Sequence, residues 1–178
     1  IKISCRRAYI HIHHSNKIPK MASVLQNLSD YDTEKVPSGK GKSFGIAVAE
    51  WNKHITFELL KGCIETLLAH GVKESDIYVS YVPGTFELPY AGKTLAQSHH
   101  LAAVICLGCV IKGETDHDIY INTSVANALQ QLNISSSIPY IFVVLTPNNE
   151  QQALDRAGGK HGNKGVEAAV TALKMCAI

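Results

Sequence analysis

The chain reads as an α/β domain in which a four-stranded parallel sheet lies between two layers of helices. Three observations predict this three-layer α/β/α arrangement. Short apolar runs alternate four times with amphipathic stretches of helix length, which implies right-handed crossovers between parallel strands. The runs lack polar alternation, above all Leu101-Ala-Ala-Val-Ile-Cys-Leu-Gly-Cys-Val-Ile111, as expected of strands covered on both faces. Each run empties into a turn of unusual residues, and open parallel sheets bind ligands at the carboxyl ends of their strands.

Phe44-Gly-Ile-Ala-Val-Ala49 is the first strand, with Trp51-Asn52 at its exit. Ile55, Leu59, Leu60, Cys63, Ile64, Leu67 and Leu68 trace one helix face, and Gly71 ends that helix. Residues 77–82 form the second strand, which leaves through Pro83-Gly-Thr-Phe-Glu87 into a helix carrying Leu88, Ala91 and Leu95. The third strand is the run from Leu101. It ends in Lys112-Gly-Glu-Thr-Asp-His117, and Ile121, Val125, Ala128, Leu129 and Leu132 mark the next helix. Residues 139–145 are the fourth strand, with Thr146-Pro147 at its exit. A short helix from about Asn149 to Arg156 leads to Gly158-Gly159, and a last helix is expected to bury Val166, Val170 and Leu173.

Before this domain, taken as residues 43–178, residues 1–42 read as an extension and an extended arm. Residues 1–20 contain no acidic residue and no signal-peptide core, and are expected to be non-native or disordered. Met21-Ala22-Ser23 reads as a natural start, with the preceding residues as upstream sequence; a transit peptide, basic and poor in acids, is the rival reading. The polar stretch from Val24 to Gly41 suits an arm ordered by a partner subunit. Gly39-Lys-Gly-Lys-Ser43 imitates a phosphate loop, but Val36 stands where the first glycine is needed and the segment precedes a strand instead of succeeding one.

At 178 residues, 46% hydrophobic and 18% charged, the chain fits one domain with a real core. A formal charge of +2, spread along the sequence, gives no reason to propose nucleic acid, and no apolar segment is long and charge-free enough to span a bilayer. Five cysteines, an odd number, suit a reducing, cytoplasmic setting better than a disulfide scaffold. Cys106 and Cys109 have the spacing of a redox or zinc pair, but residues three apart in a strand point to opposite faces, so they read as buried thiols. His11, His13 and His14 have no acidic or cysteine ligand nearby, and no metal site is expected.

The strand exits carry the chemistry. Gly113 permits close backbone approach, exposed N–H groups at the adjoining helix start attract anions, Thr115 adds a hydroxyl, and His117 can move protons near neutral pH. Trp51 beside Asn52 can stack on a planar heterocycle or simply pack. The backbone of Thr85 and Phe86, with the Glu87 carboxylate, can hold a polyhydroxy chain or a ring amide, or merely complete a turn. Arg156 is either a helix-ending cation favoured by the dipole or, facing the Gly113 loop, a forked phosphate clamp.

Three stretches together carry a resemblance: Val82-Pro-Gly-Thr-Phe-Glu-Leu-Pro89, Gly108-Cys-Val-Ile-Lys-Gly-Glu-Thr-Asp-His117 and Asp155-Arg-Ala-Gly-Gly-Lys-His-Gly-Asn-Lys-Gly165. Over about residues 43–176 the chain resembles the 6,7-dimethyl-8-ribityllumazine synthases, whose fold is flavodoxin-like. The resemblance implies condensation of 5-amino-6-(D-ribitylamino)uracil with 3,4-dihydroxy-2-butanone 4-phosphate, without metal or organic cofactor. By matching positions it implies that Trp51, Asn52, Thr85, Phe86, Glu87, Cys109, Val110 and Ile111 bind the pyrimidine substrate. Gly113, Glu114 and Thr115 would receive the phosphate, and His117 would be the general acid/base. Phe142, Arg156 and Lys160 match positions that reach in from a neighbouring subunit, Phe142 and Lys160 toward the pyrimidine substrate and Arg156 toward the phosphate. It also implies a homo-oligomer with shared sites: a pentamer, with twelve pentamers in an icosahedral shell expected from the compact Gly158–Gly165 link. Residues near 35–43 are expected to add to a neighbour's sheet. The family often has an aromatic after the catalytic histidine and then an acid, whereas here Asp118 comes at once and then Ile119. That leaves open which carboxylate orients His117, Asp118 being also suited to a helix start. A non-catalytic flavin- or lumazine-binding shell protein and a related riboflavin synthase are the alternatives.

Overall fold

The computed structural model describes residue 27 and residues 29–178; the readings of residues 1–20 and of Met21 as a start lie outside it. Four strands, β1 (Phe44–Ala49), β2 (Ile77–Val82), β3 (Ala103–Cys109) and β4 (Tyr140–Leu145), form one parallel sheet in the order β2-β1-β3-β4. Phe44 lies opposite both Ile77 and Ala103, and Val104 lies opposite Tyr140. Helices α1 (Lys53–Ala69), α2 (Leu88–Ser98) and α3 (His117–Ser135) make the crossovers. The chain leaves β1 toward one edge and β3 toward the other, so the strand order reverses between these two neighbours.

Alternation along the strands divides the core. Phe44, Ile46, Val48, Ile105 and Leu107 face α1 and the last helix; Ala47, Val104, Cys106 and Val144 face α2 and α3. Every residue of β1 and β3 is buried, which accounts for their unbroken apolar sequence. Cys106 packs in one cluster and Cys109 in the other, as their spacing predicts. The two outer strands differ: β2 is half-buried, while β4 is buried except for Phe142, which points outward. No described helix is long and apolar enough to cross a membrane.

Several elements depart from expectation. Helix α4 covers only Glu150–Leu154; Asn149 caps its start, accepting from the Gln152 N–H at 3.0 Å, and Arg156 lies past its end. Beyond Arg156 the chain forms a small antiparallel hairpin, β5 (Ala157–Gly159) and β6 (Gly162–Asn163), where only a link was expected. In α5 (Lys164–Met175) Val170 and Leu173 are buried as expected, but Val166 stays half-buried, and Gly165, Ala168, Ala169 and Ala172 complete the buried face. The small residues let α5 lie against α1 so closely that a Cβ on Gly165 would overlap the Leu59 carbonyl. Within the stretch read as an arm, Val36 is buried against its own protomer's core, and Gly39 donates to the His70 carbonyl at 2.8 Å where a Cβ would strike Val72 and Leu173.

Candidate active site

At the reversal between β1 and β3, the strand exits and the start of α3 enclose a cavity of about 620 Å³. The exit of β1 supplies Trp51 and Asn52. Asn52 is the one described non-glycine residue in the left-handed region (φ 61°), a conformation asparagine tolerates better than most. Its side-chain amide donates to the Cys109 carbonyl at 3.1 Å, and Thr56 donates to the Ala49 carbonyl at 2.6 Å. The first bond ties the ends of the two central strands together, and the second fastens the start of α1 to the end of β1. Trp51, anchored by its N–H to the Pro83 carbonyl at 3.0 Å, leaves its indole 72% exposed at the rim.

The exit of β2 is a single 3-10 turn, Thr85–Glu87, which buries Thr85 and exposes Phe86 and Glu87. That turn sits directly on β3: a Cβ on Gly108 would lie 2.7 Å from the Thr85 hydroxyl oxygen and 2.9 Å from Leu88. Cys109, Val110 and Ile111 form the cavity wall from β3, where Val110 donates to the Leu145 carbonyl at 2.8 Å and Lys112 to the Pro147 carbonyl at 3.0 Å. Burial pushes the Cys106 and Cys109 thiols up to about 12, so neither is a thiolate at neutral pH. Gly113, Thr115 and His117 complete the lining. His117 is the first residue of α3, exposed toward the cavity mouth, with Asp116 at the N-cap position.

Thus Trp51, Asn52, Thr85, Phe86, Glu87, Cys109, Val110, Ile111, Gly113, Thr115 and His117 share one hollow. The floor is apolar, the rim aromatic, and the amino end of α3 with an imidazole stands at one side. Such a site can hold a flat heterocycle, attract an anion and pass protons.

The family model described as 6,7-dimethyl-8-ribityllumazine synthase matches residues 41–178. The chain belongs to that family. Among proteins named 6,7-dimethyl-8-ribityllumazine synthase, that of Porphyromonas gingivalis is 56% identical over 158 residues, 89% of this chain and 98% of the relative. That of Parabacteroides distasonis is 52% identical over 155 residues, covering 87% and 97%. The Cytophaga hutchinsonii protein is 51% identical over 157 residues, covering 88% and 98%.

In this member of the lumazine synthase family one protomer does not gather every expected residue. Glu114 stands beside the cavity without lining it. Phe142 belongs to a second hollow of about 750 Å³ along the β4 edge, with Tyr140, Met175 and Ile178. Arg156 and Lys160 lie on the turn after α4, outside the cavity; Arg156 Nη1 donates to the Gln152 carbonyl at 2.9 Å and Lys160 Nζ pairs with Asp155 at 3.0 Å. The Gly113 loop is therefore not faced by the Arg156 of the same chain.

Four lining residues were not among the expected substrate-binding or catalytic residues: Pro83 and Gly84, read as part of a turn, and Asp118 and Ile121 on α3. Ile121 was legible as the residue one turn beyond His117 on the same face of α3. Asp118 sits in the first turn of α3, where the dipole favours it, with one carboxylate oxygen buried and unpartnered. Adjacent helical positions do not face each other, so Asp118 is poorly placed to orient His117, and no described carboxylate bonds that ring.

Proposed function

We propose that this cavity condenses 5-amino-6-(D-ribitylamino)uracil with 3,4-dihydroxy-2-butanone 4-phosphate to give 6,7-dimethyl-8-ribityllumazine, phosphate and water, a step of riboflavin biosynthesis. The observation that carries the reading is the meeting of Trp51, Glu87 and His117 around one hollow in a chain of this family. In the proposal the pyrimidine lies against Trp51 over Val110 and Ile111. The ribityl hydroxyls bond the Thr85–Phe86 backbone and Glu87. The phosphate sits on the N–H groups of Gly113, Glu114 and Thr115 at the amino end of α3.

The arylamine attacks the ketone, and water leaves to form an imine. Loss of a proton from carbon gives an enol, from which the carbon–oxygen bond to phosphate breaks, the phosphate taking the electron pair. The enol left behind takes up a proton at its terminal carbon and becomes a ketone, to which the second amine adds, closing the ring with loss of water. Each step is an addition, an elimination or a proton transfer, so the chemistry calls for no cofactor. His117 is the group suited to move the protons, worth about 10²–10⁴-fold, and holding two substrates together supplies much of the remainder.

The proposal takes residues 43–178 as the catalytic domain and completes the site with Phe142, Arg156 and Lys160 of an adjoining protomer. The assembly is a cytoplasmic pentamer, with twelve pentamers in an icosahedral shell. Its support is that these three side chains stand on outward surfaces, away from their own cavity. Mixing the two substrates with the protein is expected to give lumazine fluorescence with one phosphate per product. Lumazine binding without turnover would mark a non-catalytic holder, and riboflavin made from lumazine alone a riboflavin synthase. Sedimentation showing only free pentamers would reject the shell.

A further inference from the structure

The turn that bears Arg156 and Lys160 is organised by a residue that has no part in the proposed condensation. Asp155 is 7% exposed, and both of its carboxylate oxygens are occupied: Oδ1 accepts from Gln151 Nε2 at 2.9 Å, and Oδ2 accepts from Lys160 Nζ at 3.0 Å. The acid is the fixed inner member of the ion pair and Lys160 the outer one, with 67% of its side chain exposed. The backbone is clasped at the same point. The Asp155 carbonyl accepts from the His161 N–H at 2.8 Å, Arg156 N–H donates to the Ala153 carbonyl at 3.0 Å, and the Arg156 carbonyl accepts from Lys164 N–H at 2.8 Å. A Cβ on Gly159 would lie 2.7 Å from the Leu154 carbonyl oxygen, so the turn is folded flat onto the end of α4.

Lysine and arginine lose much rotamer freedom when they grip a ligand, and a cation already held in place loses less at that moment. Arg156 spends one N–H on the Gln152 carbonyl, and Lys160 spends one of its three donors on Asp155. Each keeps further donors for a second partner. We propose that Asp155 is a positioning residue: it sets the 155–160 turn so that Arg156 and Lys160 meet a bound anion as a preformed pair of cations. The inference rests on the assignment of Arg156 to the phosphorylated substrate, and it deepens that assignment by bringing Lys160, expected from the resemblance on the pyrimidine side, to the same anion.

The test compares wild type, Asp155→Asn, Asp155→Glu and Gln151→Ala as assembled full chains. An asparagine keeps the acceptor for Gln151 and turns an N–H₂ toward the Lys160 ammonium, releasing the lysine. Inorganic phosphate titrated by calorimetry is expected to bind Asp155→Asn about tenfold more weakly than wild type. The KM for the butanone phosphate is expected to rise by a similar factor, with kcat changed by less than about threefold. Asp155→Glu regains most of the loss. Gln151→Ala, which leaves the ion pair in place and is the fallback should the asparagine variant not assemble, loses about threefold. Phosphate affinity within twofold of wild type in Asp155→Asn, or in Gln151→Ala should the asparagine variant not assemble, overturns the inference, as does a fall in thermal stability with KM unchanged. So does a wild-type protein that binds no phosphate. A wild type that binds phosphate but makes no lumazine, with binding still lost in Asp155→Asn, refutes the proposed condensation and leaves the positioning role standing.

Discussion

Replacing Gly165 by alanine sets two effects against each other. In an exposed helix the change gains about 1 kcal/mol, because glycine is the poorer helix former. Here the new methyl overlaps the Leu59 carbonyl oxygen and stands 2.7 Å from the carbonyl carbon, both of which are helix backbone and cannot swing aside. It also falls 2.9 Å from Asn163 Oδ1, the atom that caps α5 by accepting from the Gly165 N–H at 2.8 Å. The same asparagine reaches across to donate to the Glu58 carbonyl at 2.8 Å, so displacing it loosens both helices. Overpacking costs about 1–3 kcal/mol and loss of the cap about 1 kcal/mol more. The sum outweighs the propensity gain, and Gly165→Ala is expected to destabilise by about 1–3 kcal/mol. Equilibrium urea unfolding at a fixed protomer concentration reads this directly. An unchanged or higher midpoint would refute the close α1–α5 crossing on which the position of the β5–β6 hairpin depends.

His117→Ala is expected to lower kcat by about 10²-fold while leaving turnover measurable, because substrate positioning survives; stopped assays of lumazine formation check it. Arg156→Ala should raise the KM for the butanone phosphate about tenfold or more and leave that for the pyrimidine within twofold, and unchanged values for both would remove its assigned role. Burial holds the Cys63, Cys106 and Cys109 thiols up at about 12, so mass mapping after iodoacetamide at pH 8 should find all three unmodified in the native protein. Because their folded values lie above the unfolded value of 9.0, the stability they contribute is complete below about pH 9 and is lost as pH rises toward 12. The loss is about 1.4 kcal/mol per thiol per unit, measurable as a falling unfolding midpoint.

The sheet was legible because its signals are local. An unbroken run such as Val104 to Leu107 has to be covered on both sides, and Gly113 to His117 has to come after its end. The partners of Asn52 were not legible, since a hydrogen bond to Cys109 joins residues that only the strand order brings together. On α5 Val170 and Leu173 were read rightly and Val166 was misjudged, for a related reason. Val166 looks more apolar than Ala168 or Ala169, but the crossing with α1 rewards small side chains over large ones, and that neighbour is distant in sequence. The β5–β6 hairpin was missed because two or three residues of strand leave no periodicity to read. Arg156 and Lys160 could be marked as cations from the sequence, but the Asp155 carboxylate that holds one of them takes its meaning only from the turn.

The outward-facing ladder of β4 has a bearing on how the molecule must be made. Tyr140-Ile-Phe-Val-Val-Leu145 carries no charge and no proline, and its outer backbone groups find no strand among the described residues of the protomer. Stretches of this kind recruit their own copies whenever they stay bare. A newly synthesised chain therefore runs a race between orderly docking and indiscriminate stacking, in which crowding by correct neighbours is protective and delay is harmful. Refolding yields should accordingly depend on how quickly that border is hidden.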